Sequence, residues 1–125
     1  MKKITVVHRV DSYPQMFADY ATQVGYVSSA RAVDETTSIP DIVSFLERES
    51  PDIILLGVNF TGGRDGRGLE VLARVKTNPH TASTPVVMVS GGYNAEQEAI
   101  SKGADEYITG FEEFRRILDQ YFTQS

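Results

Sequence analysis

Short apolar runs alternate along this chain with longer stretches in which apolar residues recur at helical spacing. Ile4 to Val7 is rich in β-branched side chains and predicts a first strand. Asp11-Ser12-Tyr13-Pro14 predicts a helix start, with a capping side chain and a proline in the first turn. Met16, Phe17, Tyr20, Ala21 and Val24 then share one face, and Gly25 supplies the stop. A second strand of modest strength is expected over 28–33. Ser38 is the expected N-cap of a helix marked by Ile39, Ile42, Val43 and Leu46, which Ser50-Pro51 ends. Ile53 to Leu56 is uninterrupted and apolar, as a strand buried on both faces of a parallel sheet must be. Leu69, Leu72 and Val75 mark a third helix ending near Asn78-Pro79, and Pro85-Val86-Val87-Met88-Val89 a fourth strand. Residues 94–102 predict a polar helix with Ala95, Ala99 and Ile100 as its inward positions, closed by Gly103. A short strand over 104–108 follows, and Phe111, Phe114, Ile117, Leu118, Tyr121 and Phe122 give the last helix a broad apolar stripe. Five repeats of strand then helix imply a parallel sheet with helices on both faces and right-handed crossovers.

Composition narrows the function classes more than it changes this layout. With 125 residues, 41% hydrophobic and 23% charged, the expectation is one compact domain spanning 1–125. A net charge of -5 leaves no basic excess to attract phosphate backbones, which argues against nucleic-acid binding. The absence of cysteine removes disulfides, thiol catalysis and cysteine-based metal sites, and fits a reducing compartment. After Met1-Lys2-Lys3 the apolar run is too short for a signal sequence or a membrane span, so a cytoplasmic protein without membrane contact is expected.

Several phrases, in this order and spacing, carry a resemblance that covers residues 3 to about 122: Pro51-Asp52-Ile53-Ile54-Leu55-Leu56, Asp65-Gly66 followed by Gly68-Leu69-Glu70-Val71-Leu72, Pro85-Val86-Val87-Met88-Val89-Ser90, and Gly103-Ala104-Asp105-Glu106-Tyr107-Ile108-Thr109. The chain resembles a response-regulator receiver domain of two-component signalling. The resemblance implies a flavodoxin-like α/β fold, a doubly wound five-stranded parallel sheet in the order 2-1-3-4-5 with five helices. It also implies that the acidic pair holding magnesium after the first strand maps to His8 and Arg9, the phosphoacceptor aspartate to Gly57, and the lysine after the fifth strand to Gly110. Asn59 stands where the family lends a backbone carbonyl to the metal, and one carbonyl without carboxylates does not bind magnesium. No metal and no cofactor are therefore expected.

The same positions carry Arg9, a partly protonated His8 and two glycines, so the local sign of charge is reversed. Of the nearby carboxylates, Asp11 lies beyond the acidic-pair positions, Asp52 at the far end of its strand, and Asp65 in the loop before the third helix. Two readings of His8 and Arg9 stay open. They make the vacated pocket an anion site, or Arg9 pairs with Asp11 or Asp65 while His8 fills the space over Gly57. The Gly62–Gly68 stretch lacks a Gly-Lys-Ser or Gly-Lys-Thr ending and reads as a turn rather than a phosphate cradle. A flavin site is not supported, because His8-Arg9-Val10-Asp11 replaces the Ser/Thr-rich phosphate loop. His80 has no second ligand at metal spacing.

By resemblance, Ser90 and Tyr107 occupy the family's coupled switch positions, governing a partner surface formed by the fourth helix, fifth strand and fifth helix. The expectation is a non-enzymatic, phosphorylation-independent pseudo-receiver that binds a protein partner there. The alternatives are an anion- or small-ligand-sensing domain at His8 and Arg9, a phosphorelay receiver with a relocated acceptor, and a homodimer through the last two helices.

Overall fold

The structure, a computed structural model, describes residues 2–91 and 94–119. Five strands and five helices alternate: β1 (Lys3–Arg9), α1 (Pro14–Gln23), β2 (Val27–Val33), α2 (Ile39–Glu49), β3 (Ile53–Gly57), α3 (Arg67–Thr77), β4 (Val86–Val89), α4 (Glu96–Ser101), β5 (Glu106–Ile108) and α5 (Phe111–Ile117). All strand pairs are parallel and the sheet order is β2-β1-β3-β4-β5, the flavodoxin-like arrangement.

The central strand shows why its sequence is apolar throughout. Ile53 and Leu55 point to one face, among Ile4, Val6, Phe17, Val87, Ile108 and Phe114. Ile54 and Leu56 point to the other, among Ile42, Leu46, Leu72, Val75 and Met88. Side chains alternate across a pleated strand, so a strand covered by helices on both faces needs both of its sides apolar. Burying each of these side chains contributes roughly 1.5–3 kcal/mol, and truncating one, such as Leu46, costs about 2–5 kcal/mol.

Ser38 caps α2 as its position implies, its Oγ accepting the Asp41 amide at 3.2 Å. The start of α1 differs from the expectation. Val10–Ser12 forms a 3-10 turn, and Tyr13 is the N-cap in the left-handed region (φ 51°) with no side-chain cap. The capping groups are diverted: Ser12 Oγ accepts Arg9 Nε at 2.7 Å, and Asp11 pairs with the same nitrogen at 3.1 Å.

Met16 and Ile100, expected inward, are 45% and 48% exposed. Each stands next to the true inward stripe, Phe17-Ala18 with Ala21 on α1 and Ala95 with Ala99 on α4, and one residue turns a helical side chain by about 100°. Tyr121 and Phe122 lie outside the described residues. Among the described residues no helix is long and apolar enough to cross a membrane.

Candidate functional site

Parallel strands carry the residues that follow them to one edge of the sheet. Here β1 delivers His8 and Arg9, β3 delivers Gly57 and Asn59, β4 delivers Ser90, and β5 delivers Thr109 and Gly110. A cavity of about 300 Å³ opens at this carboxyl rim, and His8, Arg9, Asn59, Ser90 and Gly110 all line it. In an open α/β sheet this is where ligands bind. Gly57 belongs to the same cluster without lining the cavity, because His8 lies over it.

The fit of His8 to Gly57 is steric. A Cβ at position 57 would collide with His8 Nδ1 and come within 3.0 Å of Cε1 and 3.2 Å of Cγ. The imidazole packs beside Phe17, ring centroids 5.8 Å apart, and is 8% exposed. Its Nδ1 accepts the Arg9 amide at 3.1 Å, which assigns the proton of the neutral ring to Nε2. Burial lowers the pKa from 6.5 to about 4; the Arg9 guanidinium adds to the effect and the Asp11 carboxylate opposes it. His8 is therefore uncharged at neutral pH, a correction to the expected partial protonation. The cause is desolvation by burial, to which Phe17 of α1 contributes and which local sequence does not display.

Arg9 is the one formal cation contributed by the β1 end, and it is heavily engaged. Nε reaches Asp11 and Ser12, and Nη1 donates to the Thr61 carbonyl at 3.2 Å. These contacts tie the turn after β1 to the loop after β3. Of the two partners open to Arg9, the structure places Asp11 in contact.

Asp65 organises its own loop. Oδ1 accepts the amides of Phe60 and Arg67 at 2.9 and 3.0 Å, and Oδ2 accepts the Thr61 amide at 2.9 Å and its hydroxyl at 2.7 Å. Burial works to raise its pKa, but the donors of Phe60, Arg67 and Thr61 outweigh it and hold the carboxyl below its ordinary value. Asn59 Oδ1 accepts the Gly66 amide at 2.9 Å, closing the same turn. Asp52 is at the opposite end of β3, accepting the Lys3 amide at 2.7 Å.

These donors do not suit a magnesium ion. Magnesium needs near-octahedral oxygen ligands that include carboxylates, and no group of three or more His, Asp or Glu side chains able to hold a metal occurs among the described residues. The carboxylates nearest the rim, Asp11 and Asp65, are committed to Arg9 and to the loop.

Ser90 is buried, and its amide bonds to the Ile108 carbonyl at 3.1 Å, joining the ends of β4 and β5. Tyr107 is half-buried, and its hydroxyl accepts the Ala95 amide at 3.1 Å, where α4 begins. Ser90 and Tyr107 share a second cleft of about 400 Å³ with Asn94, Glu96, Thr109 and Glu113. Gly110 has extended backbone (φ 177°), and a Cβ there meets nothing within 4 Å, so local geometry does not require glycine.

Sequence reasoning missed Phe17 as a wall of the site, Ser12 and Thr61 as anchors of Arg9, and Gly68. The Gly68 amide donates to the Val58 carbonyl at 2.9 Å, and a Cβ there would collide with the Gly57 carbonyl. Its glycine lets α3 approach the end of β3 directly. The Asp65-Gly66 and Gly68-Leu69 phrase was the available signal.

The response regulator receiver domain family profile matches residues 7–121. Similar solved structures include the chemotaxis response regulator CheY4 of Vibrio cholerae, with 21% identity, a TM-score of 0.76, and 96% of this chain and 98% of that one covered. A response regulator from Chloroflexus aurantiacus shows 19% identity, a TM-score of 0.74, and coverage of 94% and 95%. The receiver domain from Methanoculleus marisnigri shows 22% identity, a TM-score of 0.70, and 98% of both chains covered. No curated protein sequence matches significantly.

Proposed function

The chain belongs to the response regulator receiver family, and from that premise we propose that it is a signalling domain whose output is binding to a protein partner, independent of phosphorylation. The carrying observation is the interlock of His8 and Gly57: a neutral imidazole fills the room that an acceptor side chain at the end of β3 would use. A hydrogen cannot accept a phosphoryl group. Acyl phosphate formation needs a carboxylate nucleophile and cationic stabilisation of the transferring oxygens, and the rim aligns neither with position 57.

A relocated acceptor is opposed by the same geometry. Asp65 accepts four hydrogen bonds within its loop, Asp11 is held by Arg9, and Asp52 is at the wrong end of the strand. An anion sensor at the rim is weakened by the neutrality of His8 and the prior engagement of Arg9. In this reading the domain performs no phosphoryl transfer of its own, works in the cytoplasm, and presents the α4–β5–α5 surface to its partner.

Intact-mass measurement after incubation with acetyl phosphate and magnesium tests the proposal. The mass should be unchanged, and magnesium should leave the melting temperature where it is. A gain of one phosphoryl group, on any residue, would overturn phosphorylation independence.

A further inference from the structure

Charge is distributed unevenly along this chain. Residues 94–119 hold seven carboxylates against three basic side chains, a net -4 of the chain's -5, whereas 2–91 hold ten against nine. Two of the seven form ion pairs at short range. Asp105 binds Lys76 of α3 at 2.9 Å, and Glu112 binds Arg115 at 3.3 Å. Of the others, Glu96 and Glu113 line the 400 Å³ cleft together, with Asn94, Tyr107 and Thr109.

Glu113 is positioned before any partner arrives. Its Oε1 accepts the Thr109 amide at 3.1 Å and also the Thr109 hydroxyl. A carboxylate already ordered loses less conformational entropy on binding. One helical turn from Glu96, on the same side of α4, Ile100 is 48% exposed. Ile100 does not line the cleft itself, but an exposed apolar side chain one turn along α4 from an acidic cleft residue defines what could cover the two together.

We propose that this face docks a basic amphipathic segment of a partner protein, its lysine or arginine entering the cleft between Glu96 and Glu113 and an apolar side chain resting on Ile100. This rests on the reading of the chain as a binding module. Charge complementarity selects the occupant. A second copy of this chain would bring two acidic faces together, and nucleic acid or an anionic lipid surface would be repelled in the same way. Exposed ion pairs are individually weak, about 0.2–1 kcal/mol, so the apolar contact supplies the remaining affinity at about 25 cal/mol per Å² buried.

The test uses the isotope-labelled full chain titrated with a short amphipathic lysine/leucine peptide and with its glutamate/leucine counterpart. The basic peptide should shift amides of α4, β5 and the first turn of α5, and its affinity should fall as salt rises. Glu96→Gln with Glu113→Gln should weaken it up to tenfold, a loss of about 1.4 kcal/mol. Asp41→Asn with Glu70→Gln, on exposed positions of α2 and α3, should leave it unchanged.

Equal binding by the glutamine variant, shifts confined to the exposed Val10, Tyr13 and Met16, preference for the acidic peptide, or self-association alone would each overturn the proposal. Should the variant melt early, the wild-type shift map and its salt dependence still decide. The phosphodonor measurement judges the underlying reading separately, so either can fail without the other.

Discussion

At the carboxyl rim, Arg9 is closed by Asp11, Ser12 and Thr61, Asp65 by its own loop, and His8 is neutral beneath Phe17. Across α4, β5 and α5, Glu96, Glu98 and Ile100 stand exposed, and only part of the acidity is matched by cations. One region holds its charged side chains in internal contacts, whereas the other engages Asp105, Glu112 and Glu113 internally and leaves Glu96 and Glu98 exposed. Within one fold, then, the charged groups at the edge where α/β sheets usually bind ligands can be committed to one another, while a side face leaves acidic and apolar side chains exposed. Substitutions at the rim should register in stability, and those on the face in binding.

The largest expected effect sharpens the contrast at Gly68. Gly68→Ala puts a methyl group into the carbonyl at the end of β3, so its cost should reach or exceed the upper end of the usual overpacking range, about 3 kcal/mol, in denaturant unfolding. A cost below about 1 kcal/mol would mean that α3 can move off the strand and that the rim is less rigid than described.

The next effect concerns pH. His8 has a folded pKa of about 4 against an ordinary 6.5, so between those values the unfolded chain binds a proton that the folded chain refuses. Stability must therefore fall as pH falls through this window, by about 3 kcal/mol in total. His8→Asn, which removes the titration, should lose correspondingly less than the wild type over the same range. Parallel curves would show that the imidazole is not buried.

A smaller effect tests the interlock itself. Gly57→Ala should cost about 1–3 kcal/mol with His8 in place and much less in a His8→Ala background, a coupling that a double-mutant cycle measures. Additive costs would break the claim that one residue occupies the other's space.

The layout of the sheet was legible because burial on two faces leaves a mark in sequence. Ile53 to Leu56 had to be a central strand, and Ser38 had to start a helix. The chain positions of the site were legible as well, since strand ends in a parallel sheet converge on one edge, and His8 over Gly57 with Arg9 on Asp11 was one of the two readings left open. What could not be read depends on contacts between distant segments. The neutrality of His8 comes from burial beside Phe17 of α1, and the exposure of Met16 and Ile100 is set by which of two adjacent helical positions meets the sheet. Tyr13 holds the N-cap position without a side-chain cap because Arg9 engages the Asp11 and Ser12 side chains.

The bond from the Ala95 amide to the Tyr107 hydroxyl makes the phenol a latch on the opening turn of α4. If that ring swings aside, the latch is released, so aromatic rotation on an edge strand and fraying of the neighbouring helix become a single motion rather than two.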